Sequence, residues 1–185
     1  MIKKHLLSLH EKKEEWEEKL TNRQKRLLDT FKFLLKLTIL SIPLYILSAI
    51  EWNPIFLRSL NASIVTEILS LLGLNVENTG TFILLEDLTI DVSTDSTAWK
   101  SMLAVTALVL ATNFKLLSKL KGVFIGVLTV FTANLVRISS MAYLVTVYNI
   151  DYEFIHTFLW RWGLMSIVFG YWIIWFKLSG ENEAL

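Results

Sequence analysis

Three side chains with chemical capability stand at or within apolar runs of this chain: Ser96, Arg137 and His156. Ser96 lies in Thr94-Asp95-Ser96-Thr97-Ala98-Trp99-Lys100-Ser101, a polar stretch leading into an apolar segment. Thr94 and Asp95 are good N-cap residues, which predicts Ser96 in the first turn of the helix that follows. Free amides and a partial positive charge at such a terminus stabilise a thiolate or a developing oxyanion, and the same position suits serine for capping alone. Arg137 sits in Asn134-Leu135-Val136-Arg137, well inside a later apolar run. A guanidinium at membrane depth costs several kcal/mol unless it meets protein, water or a partner. Its stem can snorkel outward, or Asn134 and backbone carbonyls can satisfy it as a buried structural group. His156 opens the last apolar run and can exchange a proton near neutral pH, although a lone interfacial histidine is more often only tolerated. Trp160 and Arg161 follow one turn later. Arg161 reads equally well as a second anion-binding group or as a charge paired with an outer-loop acid.

The elements that must position these groups are membrane spans. The chain of 185 residues is 54% hydrophobic, with mean hydropathy +0.50 and seven Trp. That is more apolar than a soluble domain, where roughly 45 to 50% is usual. The absence of cysteine excludes disulfides, zinc-thiolate sites and a thiol nucleophile in the chain as it stands. The charged N-terminal segment ahead of the first apolar stretch does not read as a signal peptide, so that stretch is expected to be a retained span. No glycine-rich phosphate loop, metal-spaced histidine pair or Gly-flanked serine elbow is found, so no cofactor and no metal are expected. Orientation in the membrane accounts for the basic clusters without invoking nucleic acid.

The pattern predicts an all-α integral membrane protein with four transmembrane helices, at about 33–50, 97–112, 122–147 and 156–176. Lys32 and Lys36 anchor the first of these, and Pro43 is a point where it can kink. Eight of the eighteen Lys and Arg lie in the first 26 residues, and Lys115, Lys119 and Lys121 mark the loop at 113–121. Residues 51–95 hold seven acids against one Arg. The positive-inside rule therefore puts both termini in the cytoplasm and 51–95 outside. Residues 1–30 read as a charged cytoplasmic helical segment, 31–178 as the membrane-embedded domain and 179–185 as a cytoplasmic tail. Within 51–95, Ile55, Phe56, Leu60, Ile64, Ile68 and Leu72 recur at helical spacing, while Arg58, Asn61 and Glu67 argue against a full span. An interfacial helix on the outer leaflet is expected. Thr81–Leu85 and Leu88–Val92 then predict a short β-hairpin leading into the Ser96 stretch.

In this arrangement the chain resembles the exosortase and archaeosortase family of membrane transpeptidases over roughly residues 81–176. Asp95-Ser96-Thr97-Ala98-Trp99-Lys100-Ser101 is similar to the family's nucleophile motif, Asn134 to Arg137 to its arginine motif, and His156 to its third position. The resemblance implies Ser96 where a catalytic Cys is expected, as an engineered replacement or a natural serine variant. It also implies Arg137 as stabiliser of the oxyanion or thiolate and His156 as general acid and base. Asp95, Lys100, Asn134, Trp160 and Arg161 are then candidate substrate-binding residues. Implied substrates are secreted proteins with a C-terminal sorting tail, built of a short motif, a hydrophobic span and a basic end, with a membrane lipid or water as acceptor. Two other readings of the residues stay open: a non-enzymatic membrane scaffold or assembly protein, and an intramembrane hydrolase using Ser96 and His156 directly.

Overall fold

The computed structural model describes residues 20–86, 88–150 and 163–183. The first helix, α1 (Asn22–Leu40), starts at a capping box in which the Thr21 hydroxyl accepts from the Gln24 amide at 3.4 Å and Gln24 Oε1 accepts from the Thr21 amide at 2.9 Å. This reciprocal cap satisfies two otherwise free donors, and the helix begins well ahead of the apolar run expected from Phe33. At Ser41 the chain breaks and resumes as α2 (Ile42–Ala49), with Pro43 in its opening turn, where a missing amide is tolerated. The interruption falls at Ser41, two residues before the Pro43 where a kink was expected. No residue of α1 or α2 is fully buried, although Phe33 and Leu37 of α1 pack partly against the helical core.

Helix α3 (Ile55–Leu71) is followed by a three-stranded antiparallel sheet of β1 (Val76–Thr79), β2 (Phe82–Leu85) and β3 (Thr89–Asp91), in the order β1-β2-β3. The expected hairpin is the β2-β3 pair, with Ile83 opposite Ile90 and Phe82 opposite Asp91. Alternation works as the pleat requires, since Ile83, Leu85, Ile90 and Val92 all turn into the core. Strand β1 was not expected. Its sequence, Val-Glu-Asn-Thr, is mostly polar and exposed, and it is held by pairing to β2 and by contact with α3, with Val76 alone packing partly against the core.

The buried face of helix α3 is rotated from its apolar stripe and shares only an edge with it, where Ile64 and Ile68 pack partly against the core. Asn61, Ala62, Val65 and Leu69 are buried against the sheet and the C-terminal half of the long helix Leu116–Tyr148, whereas Ile55, Phe56 and Leu72 are exposed. Small and β-branched side chains let this helix approach its neighbours closely, which outweighs the larger residues around the edge.

After a 3₁₀ turn (Thr94–Thr97) come α4 (Trp99–Ala111), α5 (Leu116–Tyr148) and α6 (Leu164–Glu183). Helix α4 packs against α1, α5 and α6, at the centre of a second core formed by Ala98, Val105, Val109, Val130 and Val168. Gly122 and Gly126 of α5 let α6 approach. Trp175 lies over the first and Tyr171 over the second, and the Tyr171 hydroxyl donates to the Gly122 carbonyl at 2.6 Å.

Among the described residues, two helical stretches are long and apolar enough to cross a membrane: Asn22–Ala49 and Leu116–Tyr148. The thirteen-residue α4 is apolar but rises only about 20 Å, short of a roughly 30 Å hydrocarbon layer. The start of the fourth expected span, including His156, lies outside the described residues.

Candidate active site

Ser96 is carried by the 3₁₀ turn and not by the first turn of α4, which corrects the capping expectation. Ala98 separates the two, with φ 59° and ψ 15° in the left-handed region, and takes the N-cap position of α4 with no side-chain cap hydrogen bond. Packing on both sides of Ala98 explains the reversal. Thr97 is fully buried, with its hydroxyl donating to the Thr94 carbonyl at 2.8 Å. Trp99 is buried edge-on to Trp52, with ring centroids 5.3 Å apart. In a continuous helix residues 97 and 99 would point about 200° apart, whereas here both turn inward.

The two expected cap residues are engaged elsewhere. The Thr94 hydroxyl donates to Asn53 Oδ1 at 3.1 Å, and Asp95 pairs with Lys100 at 2.6 Å in an exposed salt bridge. The Ser96 amide closes the 3₁₀ turn by donating to the Ser93 carbonyl at 3.0 Å.

Ser96 is held from the neighbouring span. Asn134 and Arg137 stand three residues apart on α5, so their side chains share one face. Asn134 Nδ2 donates to the Ser96 carbonyl at 2.8 Å, and Arg137 Nη2 reaches the same oxygen at 3.5 Å. Asn134 is fully buried, and the same nitrogen lies 3.0 Å from Oδ1 of Asn61, itself fully buried on α3. Asn61 Nδ2 in turn donates to the Leu57 carbonyl at 2.8 Å. This amide pair ties α3, α5 and the Ser96 turn together. The Ser96 hydroxyl lies 3.0 Å from that of Ser93.

Beside this cluster runs a groove of about 380 Å³ between α2, α4, α5 and α6. Its walls are apolar, with Leu44, Leu108, Val168 and Phe169 among them, and Asp95, Lys100 and Arg137 supply its polar groups. Ala98, Ser101 and Ala104 keep the α4 side shallow. Leu164 and Met165, where the described part of α6 begins, face the same groove.

Of the sequence-derived site residues, Ser96, Asn134 and Arg137 come together, and Asp95 and Lys100 flank them on the groove. His156, Trp160 and Arg161 lie outside the described residues. Asn61 was missed as a partner. Its signal was an amide inside an otherwise apolar helical run, at a position where burial demands a hydrogen bond.

The chain is mostly helical, with two helices able to cross a membrane and a polar cluster beside an apolar groove, which is the character of a membrane protein. Residues 20–176 match the family model described as transmembrane exosortase (Exosortase_EpsH). The chain belongs to that family. Membership places it in a membrane and associates it with membrane transpeptidase or protease chemistry, on substrates that in general carry C-terminal sorting signals. Among curated proteins and among solved structures, nothing matches the chain significantly.

Proposed function

We propose that this exosortase is built as a cysteine-type transpeptidase that removes C-terminal sorting tails from secreted proteins at the outer membrane surface, with Ser96 standing in the place of the nucleophilic thiol. The observation that carries this reading is the convergence of Asn134 and Arg137 on the Ser96 backbone at the edge of an apolar groove. A peptide entering from the groove would present its carbonyl beside a cationic donor. Donors aimed at developing negative charge in a water-poor site are worth far more than in water.

In the proposed reaction the side chain at position 96 gives its proton to His156 and attacks the scissile carbonyl carbon, while Arg137 donates to the developing oxyanion. The C–N bond then breaks, the leaving amine takes a proton from His156, and the acyl group stays on residue 96. A lipid hydroxyl, or water, then attacks that acyl group and gives its proton to His156, which returns it to the side chain of residue 96 as the acyl bond to that residue breaks. Asp95, Lys100, Trp160 and Arg161 would line the path of the tail's recognition motif, and the hydrophobic part of the tail would pack among the helices; Asn134, expected among the substrate-binding residues, is fully buried and would hold the Ser96 turn instead.

The serine weakens this chemistry. A hydroxyl needs a base to become a useful nucleophile. Among the described residues its close side-chain neighbour is the neutral Ser93 hydroxyl. The chain is therefore expected to turn over poorly as it stands. The accompanying topology is four spans with both termini in the cytoplasm, residues 1–30 and 179–185 flanking the membrane domain, and 51–95 outside. The distribution of Lys and Arg supports it.

The test follows processing of a secreted reporter bearing a sorting tail. Ser96→Cys should raise processing at least about a hundredfold over the unchanged chain. Arg137→Ala and His156→Ala in that background should each abolish most of the gain. Full processing by both double variants would sink the mechanism, and equal processing with serine and cysteine would favour direct serine hydrolysis.

A further inference from the structure

We propose that Arg58 and Asn53, from the extracytoplasmic segment, are positioning residues that hold the turn carrying Ser96. This rests on the transpeptidase reading only for its effect on turnover. Arg58 is the one Arg of residues 51–95, and only 15% of its side chain is exposed. Its guanidinium is used on every side. Nε donates to the Val92 carbonyl at 2.7 Å, Nη2 to Asp91 Oδ1 at 2.8 Å and to the Thr81 hydroxyl at 3.3 Å, and Nη1 to Asn53 Oδ1 at 3.3 Å. The same Asn53 oxygen accepts the Thr94 hydroxyl at 3.1 Å.

These contacts bracket Ser93, which opens the 3₁₀ turn. Val92 is held from one side by Arg58, and Thr94 from the other by Asn53, whose carbonyl oxygen Arg58 in turn engages. Three residues on, Asn134 takes the Ser96 carbonyl. The turn is thereby fixed at its entry by α3 and the segment before it, and at its functional residue by α5. A planar fork with fixed donor directions can hold a backbone carbonyl and a carboxylate together, which a lysine cannot reproduce. The sheet and α3 are on this account the support of the active-site turn. Because Arg58 and Asn53 touch neither Ser96 nor the groove lining, they would act through the backbone.

The experiment is hydrogen–deuterium exchange on the full-length protein in lipid nanodiscs, comparing the parent with Arg58→Ala, Arg58→Lys and Asn53→Ala. Loss of charge-assisted bonds should speed exchange of residues 93–98 about tenfold in Arg58→Ala, with residues 130–142 of α5 unchanged. Asn53→Ala should produce a smaller increase in the same residues, and Arg58→Lys should recover part of the protection. In a Ser96→Cys parent that processes a tail-bearing reporter, Arg58→Ala should lower kcat with KM unchanged. Unaltered exchange at 93–98, or an equal rise throughout α5, overturns the proposal. A Ser96→Cys parent that processes nothing counts against the transpeptidase reading alone, and exchange then decides the role of Arg58 and Asn53.

Discussion

Removing the Asn134 amide tests how the site is built, because that single nitrogen serves two acceptors. In Asn134→Ala the Ser96 carbonyl loses its 2.8 Å donor and Asn61 Oδ1 its 3.0 Å donor, in a setting where both asparagines are fully buried. Each acceptor left without a donor costs about 1–3 kcal/mol, and the small void adds about 1 kcal/mol. Arg137, already 3.5 Å from the Ser96 carbonyl, offsets part of this. A destabilisation of about 3 kcal/mol is expected. Asn61→Ala should cost roughly half as much, since Asn134 keeps its bond to Ser96. The coupling between the two residues in a double-mutant cycle should be about 0.6–1.7 kcal/mol, from the average to the maximum measured for hydrogen bonds between helices in a membrane. Reversible unfolding in mixed micelles gives these values. A companion variant separates stability from positioning. Asn61→Leu with Asn134→Leu removes both amides, so much of the stability should return, while the Ser96 carbonyl still lacks its donor. Processing in a Ser96→Cys background should remain low in that protein. Additive single-variant effects, or a larger loss from Asn61→Ala than from Asn134→Ala, would refute the shared-donor account.

Two further outcomes follow from backbone geometry. Gly126→Ala should destabilise α5 against α6 by about 1–3 kcal/mol, because the new methyl carbon would lie 2.6 Å from Tyr171 Cε1 and 3.1 Å from Val105 Cγ2; adding Tyr171→Ala should lessen the further loss caused by the alanine at 126, as measured by unfolding in micelles. Ala98→Val should cost at least about 2 kcal/mol by the same measure, since a β-branched residue is poorly suited to φ 59°, whereas Ala98→Gly should stay within about 1 kcal/mol of the parent; equal effects would show that the left-handed turn is not the constraint.

What could be read from residue order, and what could not, divides along the range of the interactions. The meeting of Arg137 with Ser96 was foreseeable, because loop charges predict that the span ends carrying them lie on a common side, and helix periodicity then puts Asn134 on the same face. The β2-β3 hairpin was legible from the alternation of Leu88, Ile90 and Val92. Capping at Thr94 and Asp95 is a rule for one turn of chain, and here it yields to burial of Thr97 and Trp99, the latter decided by Trp52 far back in sequence. Strand β1 escaped because an exposed edge strand needs no apolar alternation. The Gly122 and Gly126 pair was available as a four-residue spacing of small residues, but its partners, Trp175 and Tyr171, are set by how α6 returns along α5. Arg58 and Asn61 show the limit most clearly. Both were noticed only as polar groups that spoil a span, yet each is buried or nearly so and bonded to residues distant in the chain. A polar residue that breaks an apolar run near a candidate site therefore poses two questions, whether the run crosses the membrane and which distant group satisfies the polar atom. Here the second question leads from Asn61 through Asn134 to Ser96, and from Arg58 through Val92 to the turn that carries it.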